Sequence, residues 1–72
     1  MVIVEYEDNN IGEVIRERRL DLQMTQKELA RKANISPASL RLYEEGHQTP
    51  TINMLRNIMK NLDVNEVRLW IS

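Results

Sequence analysis

The sequence predicts an all-α domain of five short helices with a strand or loose arm ahead of them, and three observations carry that prediction. Apolar residues recur at helical spacing from Ile11 onward. Helix-starting signals recur at short intervals: Thr25 with Glu28, Ser36 before Pro37, and Thr51 before an apolar run. Only two glycines and two prolines interrupt 72 residues, which favours regular structure over disorder.

At the N-terminus, "MVIVEYE" alternates Val2, Val4 and Tyr6 with Ile3, Glu5 and Glu7, a period of two that fits a strand. A lone strand needs a partner. "VRLWIS" at the other end alternates Val67, Leu69 and Ile71 and is one candidate; a second copy of the chain is another. The alternative is a frayed terminus with helix at the C-terminal end. Residues 1–10 are therefore read as an acidic arm or strand, and 11–72 as the folded domain.

From Asn10 the period changes. Ile11, Val14, Ile15 and Leu22 share one face of a first helix over 11 to about 22, with Asn10 and Glu13 as a reciprocal cap. Thr25 and Glu28 form a fuller capping box for a second helix, which carries Leu29, Ala30 and Ala33. The small Ala30 lets another helix backbone approach. Asn34 falls where a helix end needs a left-handed residue, a conformation asparagine tolerates better than most. Ser36 caps a third helix and Pro37 takes its first position, where a missing N–H costs nothing. Leu40 and Tyr43 face inward, and Gly46 ends that helix. Thr51 caps a fourth helix with Ile52, Leu55, Met59 and Leu62 on its apolar face. Asn65 is expected to cap a fifth, through about Trp70.

Composition narrows the function classes. At 72 residues the chain is one small domain that buries only about 60% of its unfolded surface, so association often supplements such a core. There is no cysteine and one histidine, which leaves no disulfide framework and no metal site. No glycine-rich phosphate loop is present, and an enzyme is a poor fit. The longest apolar run is too short to span a membrane. A soluble intracellular domain without cofactor or small-molecule ligand is expected. The formal net charge of −1 is unlike that of most nucleic-acid binders. Its distribution matters, however. Glu5, Glu7 and Asp8 put −3 on the first ten residues, whereas 11–72 hold ten Lys and Arg against eight acids. Non-specific DNA affinity should be weaker than for a strongly basic domain.

Two short helices joined by a three- to four-residue turn make a helix-turn-helix unit. Leu29, Ala30, Ala33, Asn34, Ile35, Leu40 and Tyr43 fill its packing positions together. With these in place, "IGEVIRERR…MTQKELARKANISPASLRLYEEGHQTPT…LRNIMKNLDV" resembles the Xre-type, lambda-repressor-like helix-turn-helix regulators over residues 11 to about 70. The resemblance implies a five-helix lambda-repressor-like fold, double-stranded DNA as partner, operator binding as a homodimer, and no catalysis. It also implies a bacterial or phage regulator, cytoplasmic and at the nucleoid when bound.

Site residues follow from the same resemblance. Gln26 matches a position that clamps phosphate and buttresses the third helix; helix N-termini suit an anion. Arg19 and Glu44 match an ion pair tying the first helix to the end of the third. Helix three should enter the major groove by its N-terminal end. Pro37, Ala38, Arg41 and Leu42 match the base-facing positions, with Ser39 at the edge. Of these, Arg41 alone has donors for bidentate bonds to guanine, while Pro37, Ala38 and Leu42 offer contact to thymine methyl groups. The alternative for Arg41 is a phosphate contact, which positions without specifying. Thr25, Gln26, Lys27, Ser36, His47, Gln48, Thr49 and Asn53 are the expected phosphate-side residues, mostly neutral hydrogen-bonding groups. Three departures from the family are visible: Arg18 at an apolar position, and Gln23 and Asn34 where glycine is usual. Leu20 and Leu22 add apolar surface for either core or partner.

The leading expectation is a sequence-specific transcriptional regulator, a repressor on a two-fold operator, with half-sites ~34–36 Å apart. Its dimer surface is expected at the C-terminal helix with Trp70 and Ile71 or at the N-terminal strand. An antitoxin or anti-repressor-like protein-interaction module with weak DNA binding is the alternative.

Overall fold

The computed structural model describes residues 1–7 and 10–69. Strand β1 (Ile3–Tyr6) is followed by helices α1 (Ile11–Asp21), α2 (Gln26–Ala33), α3 (Pro37–Glu44) and α4 (Ile52–Lys60), and by strand β2 (Glu66–Leu69). The expected fifth helix is replaced by β2 over Glu66–Leu69, so among the described residues there are four helices and a strand pair. β1 and β2 run parallel, with Ile3 opposite Glu66 and Tyr6 opposite Leu69. A parallel pair needs a long crossover, and here the whole helical part provides it.

The physical reason for the strand lies in the turn after α4. Asp63 adopts a left-handed φ of +58°, and Val64 N–H returns to the Met59 carbonyl at 3.0 Å, which ends helical winding. Val64 is buried, Val67 half-buried, and Glu66 and Arg68 exposed. Asn65 caps no helix. Its side-chain oxygen accepts from Val2 N–H at 2.7 Å, and its own N–H donates to the Val2 carbonyl at 2.8 Å. Neither strand satisfies its backbone alone, and pairing serves both. The expectations for Trp70 and Ile71 lie outside the described residues.

For the four helices that form among the described residues, the starts follow the sequence signals, with one exception. Thr25 and Glu28 form the reciprocal box, and Ser36 and Thr51 accept from the amides of Ser39 and Met54. Asn10 makes no side-chain cap on α1; its side-chain oxygen accepts instead from Glu7 N–H at 2.7 Å, closing the turn that leads out of β1. Glu28 is held below the usual carboxylate range, first by the Thr25 backbone N–H and then by the Thr25 side chain.

The core is built from Ile15, Leu29, Leu40, Leu55, Ile58, Met59 and Leu62, all fully buried, with Tyr6 from β1 and Val64 closing its lower edge. Ile52, expected on the apolar face of α4, is half-exposed, because it sits in the first turn, before the helix reaches the core; Ile58 is buried further along the helix. Leu20 is also half-exposed. Two polar residues tie the helices together. The Arg18 guanidinium donates to the Leu62 carbonyl at 2.9 Å, which accounts for an arginine at a position usually apolar. Asn57 donates to the Ala33 carbonyl at 2.7 Å, joining α4 to the end of α2.

Gly12 sets how closely α1 lies against α3. A Cβ there would overlap the Tyr43 carbonyl oxygen and come within 2.7 Å of the Glu44 carbonyl oxygen. The C-terminal end of α3 therefore rests directly on the backbone of α1.

Candidate nucleic-acid interface

α2 and α3 are joined by a turn in which Asn34 takes a left-handed φ of +58° and Ile35 N–H returns to the Ala30 carbonyl at 2.9 Å. Ala30 is fully buried beside it. Ser36 then starts α3 in extended backbone, and Pro37 occupies the first turn. This local chemistry fixes the direction in which α3 leaves the turn. Its buried residues are Leu40 and Glu44; Pro37, Ala38 and Arg41 are exposed, and Ser39 and Leu42 are half-buried.

A buried polar network anchors the far end of α3. The Arg19 guanidinium grips both Glu44 oxygens, Nε to Oε2 at 2.8 Å and Nη2 to Oε1 at 2.9 Å, while Nη1 donates to the Met24 carbonyl at 2.8 Å. Gln26 adds an amide N–H to Glu44 Oε1 at 3.2 Å. Arg19 and Glu44 are 7% and 8% exposed, so the geometry has to be good: a buried pair is tolerable only when both partners are hydrogen-bonded. The network joins α1, the start of α2 and the end of α3. It leaves Gln26 with a second amide proton and, as the first residue of α2, a backbone N–H at the positive end of the helix.

Arg16, Arg19, Gln26, Arg41, Glu44 and Glu45 line one shallow depression where α1, α2 and α3 meet. Gln26 and Arg41, both expected at the interface, are thus brought together. Arg16 is a further exposed cation on this wall; its solvated position on α1 gives no sequence signal for the interface. Arg41 has a distant partner in Glu45, Nε to Oε1 3.9 Å, both half-exposed. An ion pair of that kind is weak, and the guanidinium keeps its donors for a ligand.

The remaining expected residues are placed less centrally. The Ser36 hydroxyl is engaged twice, accepting from Ser39 N–H at 3.1 Å and donating to Ser39 Oγ at 2.9 Å. The Ser39 hydroxyl keeps its own proton to donate. Thr25 Oγ1 accepts from Glu28 N–H at 3.0 Å, and Lys27 is exposed beside it. His47, Gln48 and Thr49 are exposed in the α3–α4 loop, with Asn53 in the first turn of α4. Gly46, at φ +80°, turns the chain so that His47 and Gln48 N–H both return to the Leu42 carbonyl, clipping the loop to α3. None of these four lines the depression that holds Gln26 and Arg41.

A buttressed pair of short helices, the second presenting its N-terminal face outward, defines a helix-turn-helix domain. The chain belongs to the helix-turn-helix family, whose model matches residues 15–69. This is a family of DNA-binding regulatory proteins rather than of enzymes. The chain is 35% identical to the wild-type restriction-modification controller protein C.Esp1396I, with a TM-score of 0.75 over 79% of this chain and 75% of that one. The same protein has been seen as a tetramer in complex with its natural 35 base-pair operator. The clp gene regulator ClgR from C. glutamicum superposes with a TM-score of 0.76 at 26% identity, over 79% of this chain and 73% of that one. Multiprotein-bridging factor 1 of Candida albicans is 34% identical over 64 residues, 89% of this chain and 42% of that protein. The chain thus spans about two-fifths of the length of the curated relatives it matches. Among the described residues no helix is long and apolar enough to cross a membrane.

Proposed function

We propose that this chain is a sequence-specific DNA-binding transcriptional regulator, acting as a repressor that binds a two-fold operator as a homodimer with α3 in the major groove. The observation that carries the proposal is the outward face of α3, held at a set angle by the Arg19–Glu44–Gln26 network. Pro37, Ala38, Ser39, Arg41 and Leu42 are the base-facing residues in this scheme. Arg41 supplies hydrogen-bonded readout and the three apolar side chains supply methyl contact. Gln26, with Thr25, Lys27, Ser36, His47, Gln48, Thr49 and Asn53, meets the phosphates. Ser36 does so through its backbone, since its hydroxyl proton is committed to Ser39.

The operator-bound controller protein supports this assignment, because this chain shares its fold and is 35% identical to it over 79% of this chain's length. Repression is the outcome proposed because a small domain seated on a promoter can block polymerase by occupying it. The test is a mobility-shift titration against the promoter of its own gene, with random DNA as competitor at matched salt. A complex that random DNA displaces only in large excess supports the proposal, and no salt-sensitive complex at micromolar protein rejects it.

A second reading has one observation in its favour. The α3 face is largely apolar and the α3–α4 loop carries no Lys or Arg, which suits a protein-interaction module with weak DNA binding, of antitoxin or anti-repressor type. The multiprotein-bridging relatives are named for such contacts. The same titration separates the two, since this reading expects the negative result.

A further inference from the structure

Among the described residues the sheet has two strands, so β2 has one edge against β1 and one edge without a partner strand. We infer that this free edge of β2 is where two copies of the chain meet, antiparallel about a two-fold axis at Val67, giving a four-stranded sheet in the order β1–β2–β2–β1. The inference rests on the homodimer proposed above and names its interface.

The first support is the direction of the backbone groups. The Val2 carbonyl accepts from Asn65 N–H at 2.8 Å, in the bend before the strand, and from Glu66 N–H at 3.2 Å; with Ile3 opposite Glu66, Glu66 is the first strand residue to address β1. In a parallel ladder alternate residues address opposite edges. The N–H and C=O of Val67 therefore point to the free side. A residue with both groups on one edge can pair with its own copy across a two-fold axis, exchanging two hydrogen bonds.

The second support is charge. With Val67 opposite Val67, Glu66 of each copy lies opposite Arg68 of the other. These fall in the non-hydrogen-bonded positions, where side chains approach most closely. Both side chains are exposed on the outer face, and within one copy they already pair at 3.1 Å. β1 lacks this complementarity: the first ten residues contain acids but no Lys or Arg, so two copies of that edge would meet with like charges.

Two flat edges of four residues make a small contact, so the dimer should be weak in the absence of DNA, with a micromolar dissociation constant. The test measures self-association by sedimentation equilibrium for wild type, Glu66→Arg and Arg68→Glu, with circular dichroism confirming that each folds. Each single substitution sets like charges opposite one another twice in the dimer. Self-association should weaken about five- to thirtyfold. An equimolar mixture of the two variants should recover it, because each chain then meets its complement. The pairing of Glu66 with Arg68 within one chain is lost in both variants and is not restored by mixing, so recovery reads the contact between chains. Variants that dimerise like wild type, or a mixture that stays as weak as its parts, overturn the β2 interface while leaving a dimer elsewhere in place. A wild-type chain that stays monomeric with and without operator overturns both this interface and the homodimer.

Discussion

Removing Arg19 should be the most damaging single change to the α3 anchor. In Arg19→Met, the Glu44 carboxylate keeps only the Gln26 amide at 3.2 Å, while the two guanidinium bonds at 2.8 and 2.9 Å disappear. The Glu44 side chain is 2% exposed, so water does not replace them. Breaking one partner of such a buried pair costs about 3–5 kcal/mol. A domain of 72 residues has roughly 4–11 kcal/mol in total. The variant should therefore keep between roughly −1 and 8 kcal/mol, a large drop in the urea midpoint as read by circular dichroism. Arg19→Met with Glu44→Met removes both charges and places methylene and thioether in their volume; most of the loss should be recovered. The double variant should fold yet bind DNA more weakly, because Gln26 has lost its anchor and α3 its tie to α1. A single variant costing less than about 1 kcal/mol, or a double variant no better than the single, would refute the claim that the buried pair sets the end of α3.

Other expectations follow from individual contacts. Gly12→Ala drives a Cβ into the Tyr43 carbonyl; α1 and α3 must separate, lowering stability by about 1–3 kcal/mol in a thermal melt. Glu28→Ala removes one half of the capping box. Because the folded-state pKa of Glu28 lies below its ordinary 4.5, its contribution is fully present above that value and is lost as pH falls through the lower folded value. The melting gap between wild type and Glu28→Ala should be widest near neutral pH and shrink in acid. Arg41→Ala should cost about 1–3 kcal/mol of discrimination at one base pair if Arg41 reads guanine. Equal losses on operator and random DNA in a salt-matched titration would reduce it to a phosphate contact.

The helix-turn-helix half of the fold was legible because its signals are local. Thr25 with Glu28, Asn34, Ser36 with Pro37, and Gly46 each act through bonds within six residues, and each does in the structure what its position predicts. The two ends were harder for the opposite reason. Glu66 to Leu69 is a strand because β1 lies beside it, more than sixty residues away in sequence. A four-residue run fits one helical turn and a short strand alike. Asn10 failed as a cap on similar grounds, since the turn out of β1 claims its side chain first. Ile52 shows the limit of helical periodicity: its phase matches the buried face, but its place in the first turn lies beyond the core.

The candidate interface divides along the same line. Arg19, Glu44 and Gln26 stood out through resemblance, and the structure shows why those types are needed: a buried carboxylate at the end of α3 requires a fork of donors, and the start of α2 is near enough to add a third. Arg16 did not stand out, because helical phase gives it a solvated position and only the tertiary arrangement brings it to the wall that Arg41 shares. The outward face of α3 is different again. Pro37, Ala38 and Leu42 bear side chains with no hydrogen-bonding group, so nothing in the free protein orients them toward one base over another. In the proposed complex their selectivity would come from which thymine methyl groups the helix angle brings into contact. That angle is set by Gly12 and the buried pair rather than by α3 itself. For the proposed regulator, sequence preference would then be a property of the scaffold as much as of the reading helix, and variants at Gly12 should change which operators are bound as well as how stable the domain is.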